Sequence, residues 1–319
     1  LHHAIADGIA LMHVLLSLCD DSADAPWPTP QPVSKPQPAG LAATLLRPAS
    51  LTLSAGQALA QEGVRTLRNP RRAVEMTQTA AGMARSVTRV TLMRPDTRSL
   101  LKGQLSVARH MAWSRPLPVD EVKAVGRAAG ATINDVIISS LAGALQRYMA
   151  DKGQNPDGVR MRAMMPVNLR PADESPEVLG NRFGLYAPDL PIHVTDPLAR
   201  LHAFKRTIDH LKHTPEGFVT RSIVEICGMA PVEVERLVIR FFTSKTSVVI
   251  TNVASPRQRL YLAGAPIRQI NFWVPQTAGL GLGVSIFSYM GAIVIGVMAN
   301  GKLVPDPEAI LEAFEAEYA

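Results

Sequence analysis

The segment LGLGVSIFSYMGAIVIGVM, residues 280–298, contains most of the longest strongly apolar stretch of the chain, Val284 to Ala299. Two serines and a tyrosine interrupt this stretch, and it is shorter than the roughly 18 to 20 residues that cross a bilayer. We therefore expect two buried strands, Leu280 to Tyr289 and Ala292 to Met298, and no transmembrane helix.

Outward from this segment, strand and helix patterns alternate between Gly103 and the C-terminus, which is typical of a mixed α/β domain. The other predicted strands are 106–113, 159–166, 183–190 and 247–252. The predicted helices are 119–129, 132–148, 196–213, 217–242 and a last amphipathic helix from 307. Thr132 is the expected N-cap of the second of these helices.

Three regions are expected. Residues 1–20 hold a polar motif followed by a helix, because apolar positions recur at helical spacing from 8 to 19. Residues 21–102 begin with the proline-rich run DSADAPWPTPQPVSKPQPAG (21–40), which predicts an extended linker. Residues 103–319 form the main α/β body. The chain has no initiator Met and opens on its polar motif, so we expect it to be a fragment.

Residues 41–93 are rich in arginine and contain only two acidic residues, Glu62 and Glu75. This composition predicts basic amphipathic helices. They either lie on an anionic membrane or lipid droplet or present a solvated face while packing on the main body. The second interpretation is favoured, and both stay open.

Composition restricts the partners and the compartment. The 319 residues carry a net charge of +6 with a pI of about 9.5, which favours anionic partners such as phosphorylated molecules. Aromatic residues make up only 5% and do not alternate with the basic ones, so we expect no nucleic acid partner. The two cysteines lie far apart and no signal peptide is apparent, so we expect a cytoplasmic protein.

The motif HHAIADG places His2, His3, Asp7 and Gly8 in the spacing H-H-x-x-x-D-G. An imidazole titrates near neutral pH, so a histidine here can take the proton of an alcohol as its oxygen attacks a thioester carbonyl. Asp7 can fix the loop through backbone amides or a cation. Gly8 permits a tight turn or a close backbone approach.

Two alternatives apply to this motif. Alone, it is short enough to be a structural loop at a helix entry. His2, His3, Asp7 and His13 are also a plausible metal-ligand set. Adjacent histidines seldom face one ion and no HExxH or CxxC motif accompanies them, so we expect no metal.

Five ordered segments resemble motifs of the bacterial wax ester synthase/acyl-CoA:diacylglycerol acyltransferase family. His2 to Gly8 resembles its HHxxxDG active-site motif. The other segments are Thr132-Ile133-Asn134-Asp135-Val136, Pro166-Val167-Asn168-Leu169-Arg170, Gly180-Asn181-Arg182-Phe183-Gly184 and Thr251-Asn252-Val253-Ala254-Ser255-Pro256. The last departs from the family's Asn-Val-Pro-Gly-Pro turn, since Ala254 and Ser255 stand where proline and glycine are usual.

The resemblance implies a chloramphenicol acetyltransferase-like, condensation-domain-like two-layer α/β sandwich with its N-terminal half truncated, because the family carries a further half-domain upstream of the motif. It implies that His3 is the general base, assisted by His2, and that Asp7 holds the loop, with Arg170 as a possible partner. Gly8, Asn134, Asp135 and Arg170 would support the site.

Residue chemistry leaves these supporting roles open. Thr132 and Asp135 fit a Thr-x-x-acid cap that never touches substrate. Asn134 facing the site would instead donate a hydrogen bond to a thioester oxyanion. Arg170 would either be solvated at the end of a strand or form a buried pair with a carboxylate.

The expected reaction transfers a fatty acyl group from acyl-CoA, a substrate rather than a bound cofactor, to diacylglycerol or a long-chain alcohol. Alternatives are a condensation-type acyltransferase that uses a carrier-bound group, and a non-catalytic protein that binds lipid surfaces. Peripheral contact with the inner face of the plasma membrane or with lipid droplets follows from the first of the two interpretations of residues 41–93 and stays open with it.

Overall fold

A computed structural model describes residues 8–26, 70–170, 183–228, 230–254, 257–274 and 279–319. His2, His3, Asp7 and most of the expected linker lie outside the described residues. The chain divides into one unit made of Leu1–Ala25 with Ser86–Ala319, and a second unit, Pro26–Arg85. Apart from Pro26, the described part of the second unit is helical and belongs to a longer helix, Pro70–Leu92.

In chain order the helices are α1 (Gly8–Leu16), α2 (Pro70–Leu92), α3 (Val119–Ala128), α4 (Ile133–Asp151), α5 (Pro197–Lys212), α6 (Glu216–Cys227), α7 (Val232–Ser244) and α8 (Pro307–Tyr318). The strands are β1 (Arg109–Trp113), β2 (Leu117–Pro118), β3 (Ala163–Asn168), β4 (Phe183–Tyr186), β5 (Val248–Ala254), β6 (Tyr261–Leu262), β7 (Ala265–Pro266), β8 (Leu282–Tyr289) and β9 (Ala292–Asn300).

Seven strands form one mixed sheet in the order β1-β9-β8-β5-β3-β4, with β2 also paired to β9. The central strands β3, β5 and β8 run parallel to one another. The pairs β8–β9, β1–β9 and β3–β4 are antiparallel. The parallel centre therefore directs three strand ends to the same edge of the sheet.

Helices α4, α5 and α8 cover one face of this sheet and enclose the main core. Inward residues of the central strands, such as Ile250, Val284 and Ile295, belong to the same buried cluster as Leu141 of α4 and Phe314 of α8. Each is at most 1% exposed, so this cluster supplies most of the hydrophobic stabilisation of the fold.

A buried ion pair joins the three covering helices. Arg200 of α5 contacts Glu317 of α8, and both side chains are at most 4% exposed. A Cβ at Gly143 of α4 would lie 2.6 Å from the Cζ of Arg200, so only glycine leaves room for the pair. The guanidinium also donates to the Ser139 and Val194 carbonyls, which satisfies its buried donors.

No single helix of the described residues is long and apolar enough to cross a membrane. Helices α3 and α4 meet the length and composition criteria only as a pair, and they are bent by 91° relative to each other.

The expected helix 217–242 is wrong as one element. The structure contains two helices, α6 and α7, separated by residues 228–231. Pro231 is the residue before α7, and a proline cannot continue the hydrogen bonding of a preceding helix. In the sequence, Gly228 therefore marks the end of one helix and Pro231 the start of the next.

Candidate active site

The carboxyl ends of the parallel strands β3, β5 and β8 form the edge that carries several of the polar segments quoted from the sequence. Asn168 and Arg170 lie at the end of β3, and Asn252 lies near the end of β5. In open α/β sheets this edge is the usual position of ligand sites.

Strand β5 sends alternate side chains to opposite faces of the sheet, as its period of two requires. Ile250 and Asn252 face the α4 side, since Ile250 belongs to the main core and Asn252 contacts α4. Val253 faces the other side and joins a separate cluster with Phe287 and Tyr289. Two consecutive residues therefore connect this strand end to two different helices.

Helix α1 packs on the Val253 side of the sheet. Its Met12 and Leu16, followed by Cys19, contact the cluster that contains Val253. The backbones of Asp20 and Tyr261 exchange two hydrogen bonds of 2.8 Å, which fix the chain after the helix.

Gly8, the last residue of the HHAIADG motif, is the first residue of α1, and a Cβ there would lie 3.7 Å from the Cγ2 of Val253. The motif thus joins the described structure at the carboxyl edge of the sheet. That distance is an ordinary van der Waals contact, so Val253 would tolerate a Cβ at position 8, and the close backbone approach expected for Gly8 stays a prediction.

The N-terminus of α4 lies at the same edge. Thr132 and Asp135 form the predicted capping box: Asp135 Oδ2 accepts from the Thr132 backbone N–H at 2.9 Å, and Thr132 Oγ1 accepts from the Asp135 backbone N–H at 3.2 Å. The cap is therefore confirmed. The partial positive charge of the helix N-terminus favours a negative charge nearby.

Asn134 stands between the two capping residues but takes no part in the cap. Its side chain is exposed, and its Oδ1 accepts a 2.5 Å hydrogen bond from Nδ2 of Asn252. Asp135, by contrast, is 1% exposed and its Oδ2 is committed to Thr132. Of the two neighbours, only Asn134 is placed where it can meet a ligand.

The structure brings some predicted site residues together and leaves others undescribed. Gly8 and Asn134 are both linked to β5, at Val253 and Asn252 respectively. The Arg170 backbone N–H donates to Asn168 Oδ1 at 2.9 Å, so a turn follows β3 at the same edge. Because His2, His3 and Asp7 lie outside the described residues, the roles of these three residues stay predictions.

The described residues contain no cluster of three or more histidine, cysteine, aspartate or glutamate side chains that could hold a metal ion. His2, His3 and Asp7, the core of the alternative metal set, are not among those residues. Both cysteines are free thiols and half-buried.

Asn252 is the residue that sequence reasoning missed as part of the site. It stood in the quoted segment 251–256, but that segment was interpreted only as a turn. The available signal was a polar amide in a strand whose other residues, from Val248 to Ala254, are mostly apolar.

Comparison with solved structures gives the fold class. The wax ester synthase/diacylglycerol acyltransferase from Marinobacter aquaeolei VT8 superposes with a TM-score of 0.59 at 17% identity, covering 100% of this chain and 64% of that chain. The condensation domain described for chain release from the enacyloxin polyketide synthase superposes with a TM-score of 0.50 at 14% identity, covering 99% and 56%. The predicted mixed α/β, condensation-domain-like class is confirmed.

Sequence comparison then gives the family. The wax ester synthase/diacylglycerol acyltransferase catalytic domain matches residues 1–137, and the C-terminal domain of the same family matches residues 179–319. A relative from Mycobacterium tuberculosis strain H37Rv, described as a probable diacylglycerol O-acyltransferase, tgs1, is 25% identical over 329 residues, covering 100% of this chain and 66% of the relative. The chain belongs to the wax ester synthase/diacylglycerol acyltransferase family, and it spans about two thirds of the length of such curated relatives.

Proposed function

We propose that the protein is an O-acyltransferase that moves a fatty acyl group from acyl-CoA to diacylglycerol or to a long-chain alcohol, with His3 as general base. The family assignment supports acyl transfer. The structural observation that carries the proposal is that three sequence motifs reach the end of β5: Gly8 lies beside Val253 on one face of the sheet, and Asn134 is hydrogen-bonded to Asn252 on the other.

The reaction needs a base, a site for negative charge and a leaving thiol. His3 takes the proton of the acceptor hydroxyl while its oxygen attacks the thioester carbonyl carbon. The carbonyl electron pair moves to oxygen and forms a tetrahedral oxyanion. When the pair returns, the carbon–sulfur bond breaks, and the thiolate receives the proton held by His3 to give free coenzyme A and the ester.

The described residues would support this chemistry at the edge of the sheet. The amide of Asn134 and the N-terminus of α4 favour negative charge where the oxyanion forms. Asp7 would hold the motif loop, and Arg170, at the end of β3, is a candidate partner for its carboxylate. His2 would assist His3. Acyl-CoA is a substrate and no bound cofactor is required.

The same proposal covers location and partners. The basic surface implied by the net charge of +6 would attract the phosphates of coenzyme A and anionic lipid head groups. The protein would act in the cytoplasm, in peripheral contact with the inner face of the plasma membrane or with lipid droplets, where its lipid acceptors reside. No nucleic acid partner is proposed.

The test is an assay of the whole protein with palmitoyl-CoA and either diacylglycerol or hexadecanol. We expect thiol release that depends on the acceptor, with equal amounts of free thiol and of triacylglycerol or wax ester by mass spectrometry. Added free coenzyme A should inhibit, because it competes for the donor site.

The rival functions predict different results. A carrier-dependent condensation-type enzyme would transfer no acyl group from palmitoyl-CoA but would transfer the same acyl group from a phosphopantetheine carrier protein. A non-catalytic lipid-surface protein would bind anionic vesicles and turn over neither donor. Either result with folded wild-type protein would overturn the proposal.

A further inference from the structure

We propose that Asn252 is a positioning residue that fixes the carboxamide of Asn134 so that its N–H donors face the reacting carbonyl. The inference rests on the proposed acyl transfer and assigns a role to Asn252, which the sequence predicts only as part of a strand end and turn. It is carried by one contact between residues 118 positions apart, the hydrogen bond from Asn252 Nδ2 to Asn134 Oδ1.

The direction of that hydrogen bond decides which end of the Asn134 amide is free. A carboxamide has one oxygen acceptor and one nitrogen with two donors. Because Asn252 donates to the oxygen of Asn134, the nitrogen of Asn134 keeps both hydrogens for another partner. With the Asn252 amide placed as in the structure, turning the Asn134 amide alone would set two NH₂ groups against each other, so the contact disfavours that orientation.

Without Asn252 this orientation would be lost. The last side-chain torsion of asparagine is broad and roughly two-fold, so an exposed amide samples both orientations. Asn134 is exposed at the first turn of α4, and the cap of that helix uses only Thr132 and Asp135. In the part of the chain that the structure describes, the hydrogen bond from Asn252 orients the Asn134 side chain.

Asn252 belongs to a strand that has neighbouring strands on both sides. Strand β5 lies between β3 and β8 in the sheet, and Asn252 is in register with Ile286 of β8. Its neighbour Val253 is 9% exposed and contacts α1 next to Gly8. The amide that orients Asn134 therefore comes from a central strand, one residue from the position where the motif joins the fold.

The chemical consequence is confined to the transition state. When the alcohol oxygen bonds to the thioester carbon, the carbonyl oxygen becomes an anion, and an Asn134 N–H directed at it lowers the barrier. The ground-state carbonyl gains less from the same donor. Asn252 should therefore affect kcat more than KM, and only while Asn134 is present.

The experiment is a double-mutant cycle on the whole protein with palmitoyl-CoA and the preferred acceptor alcohol. Variants Asn252→Ala, Asn134→Ala and the double variant are compared with wild type, and their thermal unfolding is recorded. Loss of one oxyanion donor costs roughly 10²–10³ in kcat, so we expect about that loss for Asn134→Ala and about ten- to a hundredfold for Asn252→Ala. KM for palmitoyl-CoA should stay within about twofold.

The double variant is the discriminating measurement. If Asn252 acts through Asn134, the double variant is no slower than Asn134→Ala alone. Losses that multiply would show that Asn252 acts independently and would overturn the proposal, as would an unchanged kcat in Asn252→Ala.

The control is Gln269→Ala, which removes a similar exposed amide pair, since Gln269 Nε2 donates to Asn271 Oδ1 at 2.9 Å. Its kcat should equal that of wild type. If Asn252→Ala does not fold, Asn252→Asp keeps the shape but cannot donate, and its kcat loss should likewise disappear in the Asn134→Ala background. Wild-type turnover is measured first, so absence of any acyl transfer would be recognised as failure of the proposed function itself.

Discussion

Gly184 lies where strand β4 comes against helix α6, and its missing side chain permits that approach. A Cβ at this position would lie 2.6 Å from the carbonyl carbon and 2.7 Å from the Cα of Gly217, the second residue of α6. Backbone atoms cannot rotate away as a flexible side chain can. The last glycine of the segment 180–184, quoted above as a family resemblance, thus has a packing reason in this fold.

Gly184→Ala should destabilise the protein by about 1–3 kcal/mol or more, because strand and helix must separate to admit the methyl group. Gly228→Ala is the matched control. Its Cβ would meet nothing nearer than the Val224 oxygen at 3.5 Å, and its φ of −64° suits alanine, so its stability should be unchanged or slightly higher. Urea unfolding of both variants measures this, and a Gly184→Ala variant as stable as Gly228→Ala would refute the packing argument.

Neighbouring residues of one motif also turned out to differ in role. The sequence predicted that Thr132 and Asp135 cap a helix, since capping depends only on residues three apart. It could not decide whether Asn134 was structural, because its partner Asn252 is 118 residues away and is brought beside it by the packing of α4 on the sheet.

At the scale of elements, the predicted helices and strands after Gly103 are confirmed in their order, with ends shifted by a few residues, whereas the two-residue strands β2, β6 and β7 were not predicted. Periodicity and caps specify such elements locally. The exception is 217–242, where the apolar pattern continued across Gly228 and Pro231. The structure shows that these two residues, and not the apolar pattern, determine where one helix ends and the next begins.

An ion pair joins helices α2 and α6 within the larger unit, and its two side chains are buried to different extents. Arg89 Nη1 lies 3.3 Å from Oε2 of Glu216, whose side chain is 1% exposed against 34% for the arginine. Burial raises the pKa of the Glu216 carboxyl, and the charge of Arg89 offsets only part of that effect. Native protein therefore holds this proton to higher pH than unfolded protein does.

The pH dependence follows from that sign. Because the folded-state pKa is raised, the contribution of Glu216 to stability is largest below its ordinary pKa and is lost as pH rises through the raised value. Glutamine does not titrate, so the unfolding free energy of Glu216→Gln minus that of wild type should increase with pH over this window. Urea unfolding from pH 4.5 to 8 tests it, with Glu225→Gln, an exposed pair partner on the same helix, as control. A difference that stays constant or falls with pH would contradict the burial argument.

At the scale of the whole molecule, the sheet order produces the candidate site. Residues from 8, 134, 168–170 and 252–253 meet at one edge only because β3, β5 and β8 are adjacent and parallel. Apolar patterns predict that strands exist but not which strands pair, since each buried face accepts several orders. The motif resemblance gave the fold class in advance, whereas the contact between Asn134 and Asn252 required the topology.

The most direct test of the account compares His3→Ala, His13→Ala and wild type in acceptor-dependent thiol release by the whole protein. His13 is the third histidine of the sequence and the sixth residue of α1, and it is exposed, so it controls for loss of an imidazole in the same part of the chain. A lost general base costs about 10²–10⁴ in rate, so we predict a fall of at least about a hundredfold for His3→Ala and wild-type turnover for His13→Ala. Equal activity of His3→Ala and wild type would contradict the assignment of His3 as the base.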